Sequence, residues 1–187
     1  MKKNKKGFSL IEMLLVLGVL SVLLIAAFVI YPKVRNSMQV DSEIKNIALI
    51  RVGLSNYFES RGADYSSLGL ATEKTGNIFA VQAKIAPPSM IIGEPSEGNL
   101  KNTWGQELSI FATTVNHSGY AAGKAFAIRS NNVPSASCVQ LVTDASAFFP
   151  TIQVARTNVV NKNILNLNNA LNQCNSAETV EVTFIGQ

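Results

Sequence analysis

One acid stands where an acid is costly. Glu12 lies within Phe8 to Tyr31, a stretch with no other charged side chain, and a charge at the centre of a membrane helix costs roughly 2.5 to 3.5 kcal/mol, less near an interface. A residue kept at that cost normally has a partner or a task, and the chemistry a lone carboxylate offers there is pairing with a cation brought to it. Cys138 and Cys174 are the two cysteines; they can close a bridge, whereas redox exchange is disfavoured by a spacing unlike C-x-x-C. His117 is the one histidine, set in Asn116-His117-Ser118-Gly119, and reads as a solvent-facing turn residue rather than a base or ligand. Asp64, Asp144, Glu178 and Glu181 have no spacing that argues for paired catalysis, and no hydrolase, phosphate-loop or zinc pattern occurs. Neither an enzyme activity nor a metal or cofactor is expected. Trp104 reads as a core residue rather than a ligand platform.

The element that must position Glu12 is a helix. Met13 to Tyr31 are 19 residues with no ionisable group apart from the Tyr31 phenol, about 28 Å of helix and close to a bilayer core. Lys2, Lys3, Lys5 and Lys6 precede it and outnumber Lys33 and Arg35 behind it, so the positive-inside rule keeps the N-terminus cytoplasmic and exports everything beyond Pro32. The run is too long for an ordinary secretory signal, and its one weak exit, near Ala26 and Ala27, has Ile25 where a small residue belongs. Gly18 and Ser21 would permit close helix approach, although at a spacing of three rather than four. Pro32 should loosen the helix over Phe28 to Pro32. Beyond it Val34, Met38, Ile44, Ile47, Ala48, Leu54 and Phe58 form an apolar stripe between Lys33, Arg35, Asp41, Glu43, Lys45, Arg51 and Glu59. That pattern predicts an amphipathic continuation packed on the protein's own globular part. Phe8 to Phe58 would span roughly 75 Å if helical throughout.

The chain has 187 residues, 47% hydrophobic and 15% charged, enough for one domain with a real core and unlike a disordered or collagen-like composition. Its net charge of +4 comes from 16 basic and 12 acidic residues. Four of the basic ones are the lysines ahead of Phe8, which leaves the remainder formally neutral, so no nucleic-acid partner is expected.

From Ser60 to Asn102 breakers such as Ala86-Pro87-Pro88 and Gly93-Glu94-Pro95 predict a long connection, with Asn77 to Ala86 alone reading as a short helix or strand. Strand patterns follow at Glu107 to Val115, Ala125 to Arg129, Thr151 to Ala155 and Thr179 to Ile185. Helices are expected at Ser135 to Phe148, capped by Ser135 or Ser137, and at Asn163 to Cys174. A long helix followed mainly by strands predicts an α+β fold, with the helix covering one face of an antiparallel sheet. Both cysteines fall in the exported, oxidising compartment, so a Cys138–Cys174 bridge is the simple reading. The Asn-rich stretch Asn158 to Asn175 reads as capped helix and turn, with an exposed contact surface as the alternative.

Lys5-Lys6-Gly7-Phe8-Ser9-Leu10-Ile11-Glu12 resembles the class III signal of type IV pilins: a basic leader ending in Gly, then Phe or Met, then Glu four positions later. The resemblance implies that a prepilin peptidase cuts between Gly7 and Phe8 and methylates the new amine of Phe8, leaving the apolar helix on the mature subunit. That amine would lie about 6 Å along the helix from Glu12. In a bundle the amine of one subunit can meet the carboxylate of another, fixing axial register more than adding net stability; pairing within one subunit is the alternative, and the resemblance points to the intermolecular form. Further along, Gly123-Lys124-Ala125-Phe126-Ala127-Ile128, Cys138-Val139-Gln140-Leu141-Val142, Phe148-Phe149-Pro150 and Asn102-Thr103-Trp104-Gly105 resemble type IVb pilins of enteric bacteria. The chain differs from many of these in its seven-residue leader and in Phe8.

The organisation implied is a leader at 1–7, a helical spine at 8–58 with its membrane segment at 8–31, and a head at 59–187 with a disulfide region at 138–174. The function implied is a major structural subunit of a type IV pilus. Its partners would be other copies of itself, the peptidase, the inner-membrane assembly machinery and the membrane before assembly. The protein would be held in the bacterial inner membrane and then moved to an extracellular filament used for adhesion, aggregation or mating. A pseudopilin of type II secretion, a minor pilin, and a membrane-anchored periplasmic enzyme or binding domain are the alternatives.

Overall fold

The computed structural model describes residues 10–114 and 120–187, so Gly7, Phe8 and the His117 turn lie outside the described residues. The chain divides into two compact units, residues 1–36 and 37–187. Helix α1 (Leu10–Glu59) enters from the first and contains Pro32; the loosening expected at Phe28 to Pro32 does not end it. In the first unit Ser21 donates its hydroxyl proton to the Leu17 carbonyl at 2.7 Å, which satisfies that hydroxyl locally within the apolar run.

The second unit is built around one antiparallel sheet. Its strands are β1 (Leu100–Lys101), β2 (Glu107–Ala112), β3 (Phe126–Pro134), β4 (Thr151–Val154), β5 (Thr157–Asn161), β6 (Ile164–Leu165) and β7 (Thr179–Gly186), in the order β1-β2-β3-β7-β4-β5-β6. The last strand is thus central, and its alternation places Val182 between Ser130 and Val154, and Phe184 between Ile128 and Ile152. Helix α2 (Thr75–Gln82) lies beside β2, and helices α3 (Ser135–Ala145) and α4 (Leu167–Cys174) lie in the C-terminal half.

Within this unit α1 buries Val40, Glu43, Ile47, Ile50, Leu54 and Phe58, steps of three and four that define one helical face. The stripe expected from sequence is therefore rotated. Ile47, Leu54 and Phe58 are in it, Ile44 is at its margin, but Val34 and Met38 are exposed and Val40 and Ile50 take their place. Glu43, expected on the polar flank, is wholly buried. Met38, Leu49 and Val52 lie off that face and are exposed, so apolar residues occur on more than one side of α1 and periodicity alone does not select the face.

Several boundaries shift for local reasons. Helix α2 starts at Thr75 rather than Asn77 and ends at Gln82, and Gly76 lets it approach β2, since a Cβ there would clash with the Ile110 carbonyl oxygen. Next to it Asn77 donates to the Leu108 carbonyl at 2.8 Å and accepts from the Ile110 N–H at 2.7 Å, occupying a strand-like place beside β2. Asn77→Ala strands two buried backbone groups, and an upper-range loss of about 3 kcal/mol in unfolding free energy is expected from denaturant titration. Strand β3 runs on to Pro134 past a bulge between Ser130 and Val133. Neither Ser135 nor Ser137 caps α3; its N-cap is Pro134, and the Ser135 N–H goes to the Glu178 carbonyl at 3.0 Å. The helix expected from Asn163 begins only at Leu167, with Asn166 accepting from the Asn169 N–H at 3.1 Å. The preceding residues are used up by a hairpin.

That hairpin, and the one before it, did not show in the sequence. The β4–β5 turn is Ala155-Arg156 and the β5–β6 turn is Lys162-Asn163, and all four residues have positive φ, between 48° and 66°. Two-residue turns of this kind favour Asn and Gly. Ala, Arg and Lys there give no turn signal and carry a left-handed strain of roughly 1 to 2 kcal/mol each. Arg156 is exposed, so Arg156→Gly should stabilise the protein by about 1 kcal/mol, read as a higher denaturant midpoint at unchanged slope.

Candidate functional site

The first candidate is the apolar part of α1 that the protein leaves uncovered. Its most hydrophobic 18-residue window has a mean hydropathy of 3.1 and is 0% buried. Leu10, Ile11, Leu23, Ile25 and Phe28 are each at least 60% exposed. An apolar surface of this size left in water would be a large liability, so it marks a contact with lipid or protein. Glu12 is exposed on the first turn of this helix and has no hydrogen-bond or ion-pair partner among the described residues. Nothing lies within 4 Å of where a Cβ on Gly18 would stand.

The second feature is the fastening of the C-terminal region. Cys138 on α3 and Cys174 at the end of α4 are bonded, with Cα atoms 5.6 Å apart, and both are fully buried. The bridge joins the two helices across Leu141, Val142, Ala145 and Ala170, all buried in the same core.

The third was missed from sequence. Oε2 of Glu43 accepts from the Thr103 backbone N–H at 2.9 Å and from the Thr103 hydroxyl at 2.7 Å, and Oε1 accepts from the Ser130 hydroxyl at 3.1 Å. Asn102 completes the network. Its Nδ2 donates to Ser130 Oγ at 2.9 Å and to the Asn131 carbonyl at 2.8 Å, while its Oδ1 accepts from the Trp104 and Gln106 N–H groups. Among the described residues no cation takes part. Burial pushes the Glu43 carboxyl above its ordinary range, opposed by the hydrogen bonds from Thr103 and Ser130. Beside it a cavity of about 220 Å³ is lined by Ser42, Asn46, Ser89, Lys101, Thr103 and Gly105 among others. The available signal was a glutamate three residues after Val40 and four before Ile47, on the face those two define.

The other residues singled out from sequence have structural placements. Trp104 is partly buried against the core. Asp64 caps the turn at Ser66 at 3.0 Å, and that hydrogen bonding holds its carboxyl below the usual range. Glu181 meets Arg129 at 3.5 Å, with the guanidinium 4.8 Å from the Phe111 ring centroid. Among the described residues no three His, Cys, Asp or Glu side chains are grouped as a metal site.

An uncovered apolar helix with one carboxylate, a helix laid on an antiparallel sheet, and a disulfide-closed C-terminal region define the class of type IV pilins. Residues 37–187 match the PilS N-terminal family, and residues 2–28 match the prokaryotic N-terminal methylation motif. The chain belongs to the PilS family of type IV pilins. It is 26% identical over 154 residues to the toxin coregulated pilin of Vibrio cholerae serotype O1, covering 82% of this chain and 63% of that protein. A second Vibrio cholerae toxin coregulated pilin is 25% identical over the same length, also with 63% covered. The chain thus spans under two thirds of the length of these relatives. In fold it is similar to the crystal structure of a type IV pilin, TcpA, from Vibrio cholerae El Tor, with a TM-score of 0.60 and 19% identity over 80% of this chain and 99% of that one. It is equally similar to the type IVb pilin of Salmonella typhi, with a TM-score of 0.60 and 22% identity over 77% and 97% of the two chains.

Proposed function

We propose that the protein is a prepilin whose mature form is the major structural subunit of a type IVb pilus. The observation that carries this is the apolar half of α1, whose most hydrophobic window is 0% buried among the described residues and which carries a single acid. Before assembly that surface is covered by the inner membrane, with the N-terminus in the cytoplasm; afterwards it is covered by the same helix in other copies. Moving between the two exchanges one apolar surrounding for another, so the transfer needs little hydrophobic free energy. The Gly7–Phe8 bond is the leader cleavage site for a prepilin peptidase, and the methylated Phe8 amine is the cation that meets Glu12 of a neighbouring subunit. The sheet and the bridged region form the outside of the filament, where adhesion, aggregation or mating contacts are made. The role is structural, not catalytic.

Intact-mass measurement with N-terminal sequencing of material sheared from the cell surface tests the reading. A chain beginning at Phe8 with one added methyl group is expected. A protein that does its work with residues 1–7 still attached would be a tethered domain instead. Long surface filaments lost on deletion distinguish a major pilin from a pseudopilin or minor pilin.

A further inference from the structure

The Glu43 cluster contributes nothing to the proposed assembly chemistry of the first unit, yet it concentrates more side-chain hydrogen bonds than any other feature described above. Its geometry is that of a fastening: one carboxyl of α1 reaches both the backbone and the hydroxyl of Thr103 and the hydroxyl of Ser130 on β3. Trp104, the only tryptophan of the chain, is the next residue. We propose that Glu43 is a proton-operated latch that holds the Asn102–Gly105 turn against α1 when neutral and loosens that turn when ionised.

A neutral acid keeps all three contacts with one reversed, its hydroxyl donating to Ser130 Oγ. An ionised one is a fully buried charge without a counter-ion, which is costly even when hydrogen-bonded. The hydrogen bonds from Thr103 and Ser130 offset part of that cost, but no counter-ion stands against the carboxylate among the described residues. On α1 the nearby ionisable groups, Asp41 and Lys45, are exposed. On the turn the partners Asn102 and Thr103 are uncharged. On β3 the partner is Ser130, while its neighbour Arg129 is engaged with Phe111 and Glu181. On β2 Glu107 is exposed. Lys101 is the single ionisable group lining the adjoining cavity, and among the described residues no ion pair joins it to Glu43.

The sign follows from proton linkage. With a folded-state affinity for protons above that of the unfolded chain, the native state binds more protons in the window that opens at the ordinary glutamate range. The fastening is therefore fully present below that range and is lost as pH rises through the folded-state value.

The test uses the full chain in detergent micelles, with acrylamide quenching of Trp104 fluorescence measured from about pH 4 to about pH 9. The wild type is expected to show a one-proton rise in quenching with increasing pH, and Glu43→Gln a flat, low profile, since the amide reproduces the neutral acid. Thr103→Val removes one donor to the ionised form and is expected to raise the wild-type midpoint by about one pH unit. A flat wild-type profile, the same rise in Glu43→Gln, or an unmoved midpoint in Thr103→Val would each overturn the latch. If Glu43→Gln fails to fold, the Thr103→Val midpoint alone decides.

Discussion

Glu12→Ala is expected to abolish pili while leaving the protein inserted in the membrane with its leader removed. Insertion becomes easier, because a carboxylate worth roughly 2.5 to 3.5 kcal/mol of penalty at the membrane centre is gone. Assembly becomes harder, because the proposed partner, the Phe8 amine of a neighbour, is left as an unpaired charge in an apolar helix bundle. Removing one member of a buried pair costs about 3 to 5 kcal/mol. At 1.4 kcal/mol per decade that lowers subunit incorporation by a hundredfold or more. The ratio of pilin in sheared surface material to pilin in membranes measures it. Glu12→Gln keeps the shape and drops the charge, so it should behave like Ala; if it assembled normally, size and not charge would be the requirement. Normal pili from Glu12→Ala would remove the pairing role altogether.

Cys138→Ala together with Cys174→Ala is expected to lower the stability of the protein by about 4 kcal/mol, from the closure entropy of a 37-residue loop. In a unit of this size that corresponds to a fall of roughly 10 °C in the unfolding midpoint. The effect should concentrate in α3 and α4, which the bridge holds together. Melting the full chain in detergent with and without reductant separates bridge from packing. Reductant should lower the midpoint of the wild type and leave the double variant unmoved. A wild type insensitive to reductant at concentrations that break the bond would show that packing of Leu141, Val142 and Ala170 suffices.

How far the sequence carried the fold depended on whether its signals were local. The alternation of Val180, Val182 and Phe184 was enough to place a strand, and the structure makes it the central one. The pattern places helix α3, yet neither Ser135 nor Ser137 caps it, and a distant carbonyl, that of Glu178, takes the Ser135 N–H. The β5 and β6 strands were invisible because their turns use Ala155-Arg156 and Lys162-Asn163 rather than Asn-Gly. Asn77 gave no hint that it would stand in for a strand beside β2.

What depends on composition along a line was legible without a fold: an apolar run of membrane length, one acid within it, a basic segment before it, and two cysteines beyond it. Hydrophobicity and charge act residue by residue, so those features need no folding to be read. Tertiary structure alone decided which face of α1 is buried and that Glu43 belongs to it. The groups that make that burial tolerable, Thr103 and Ser130, lie 60 and 87 residues away along the chain, and only the folded sheet brings them within reach of the carboxylate.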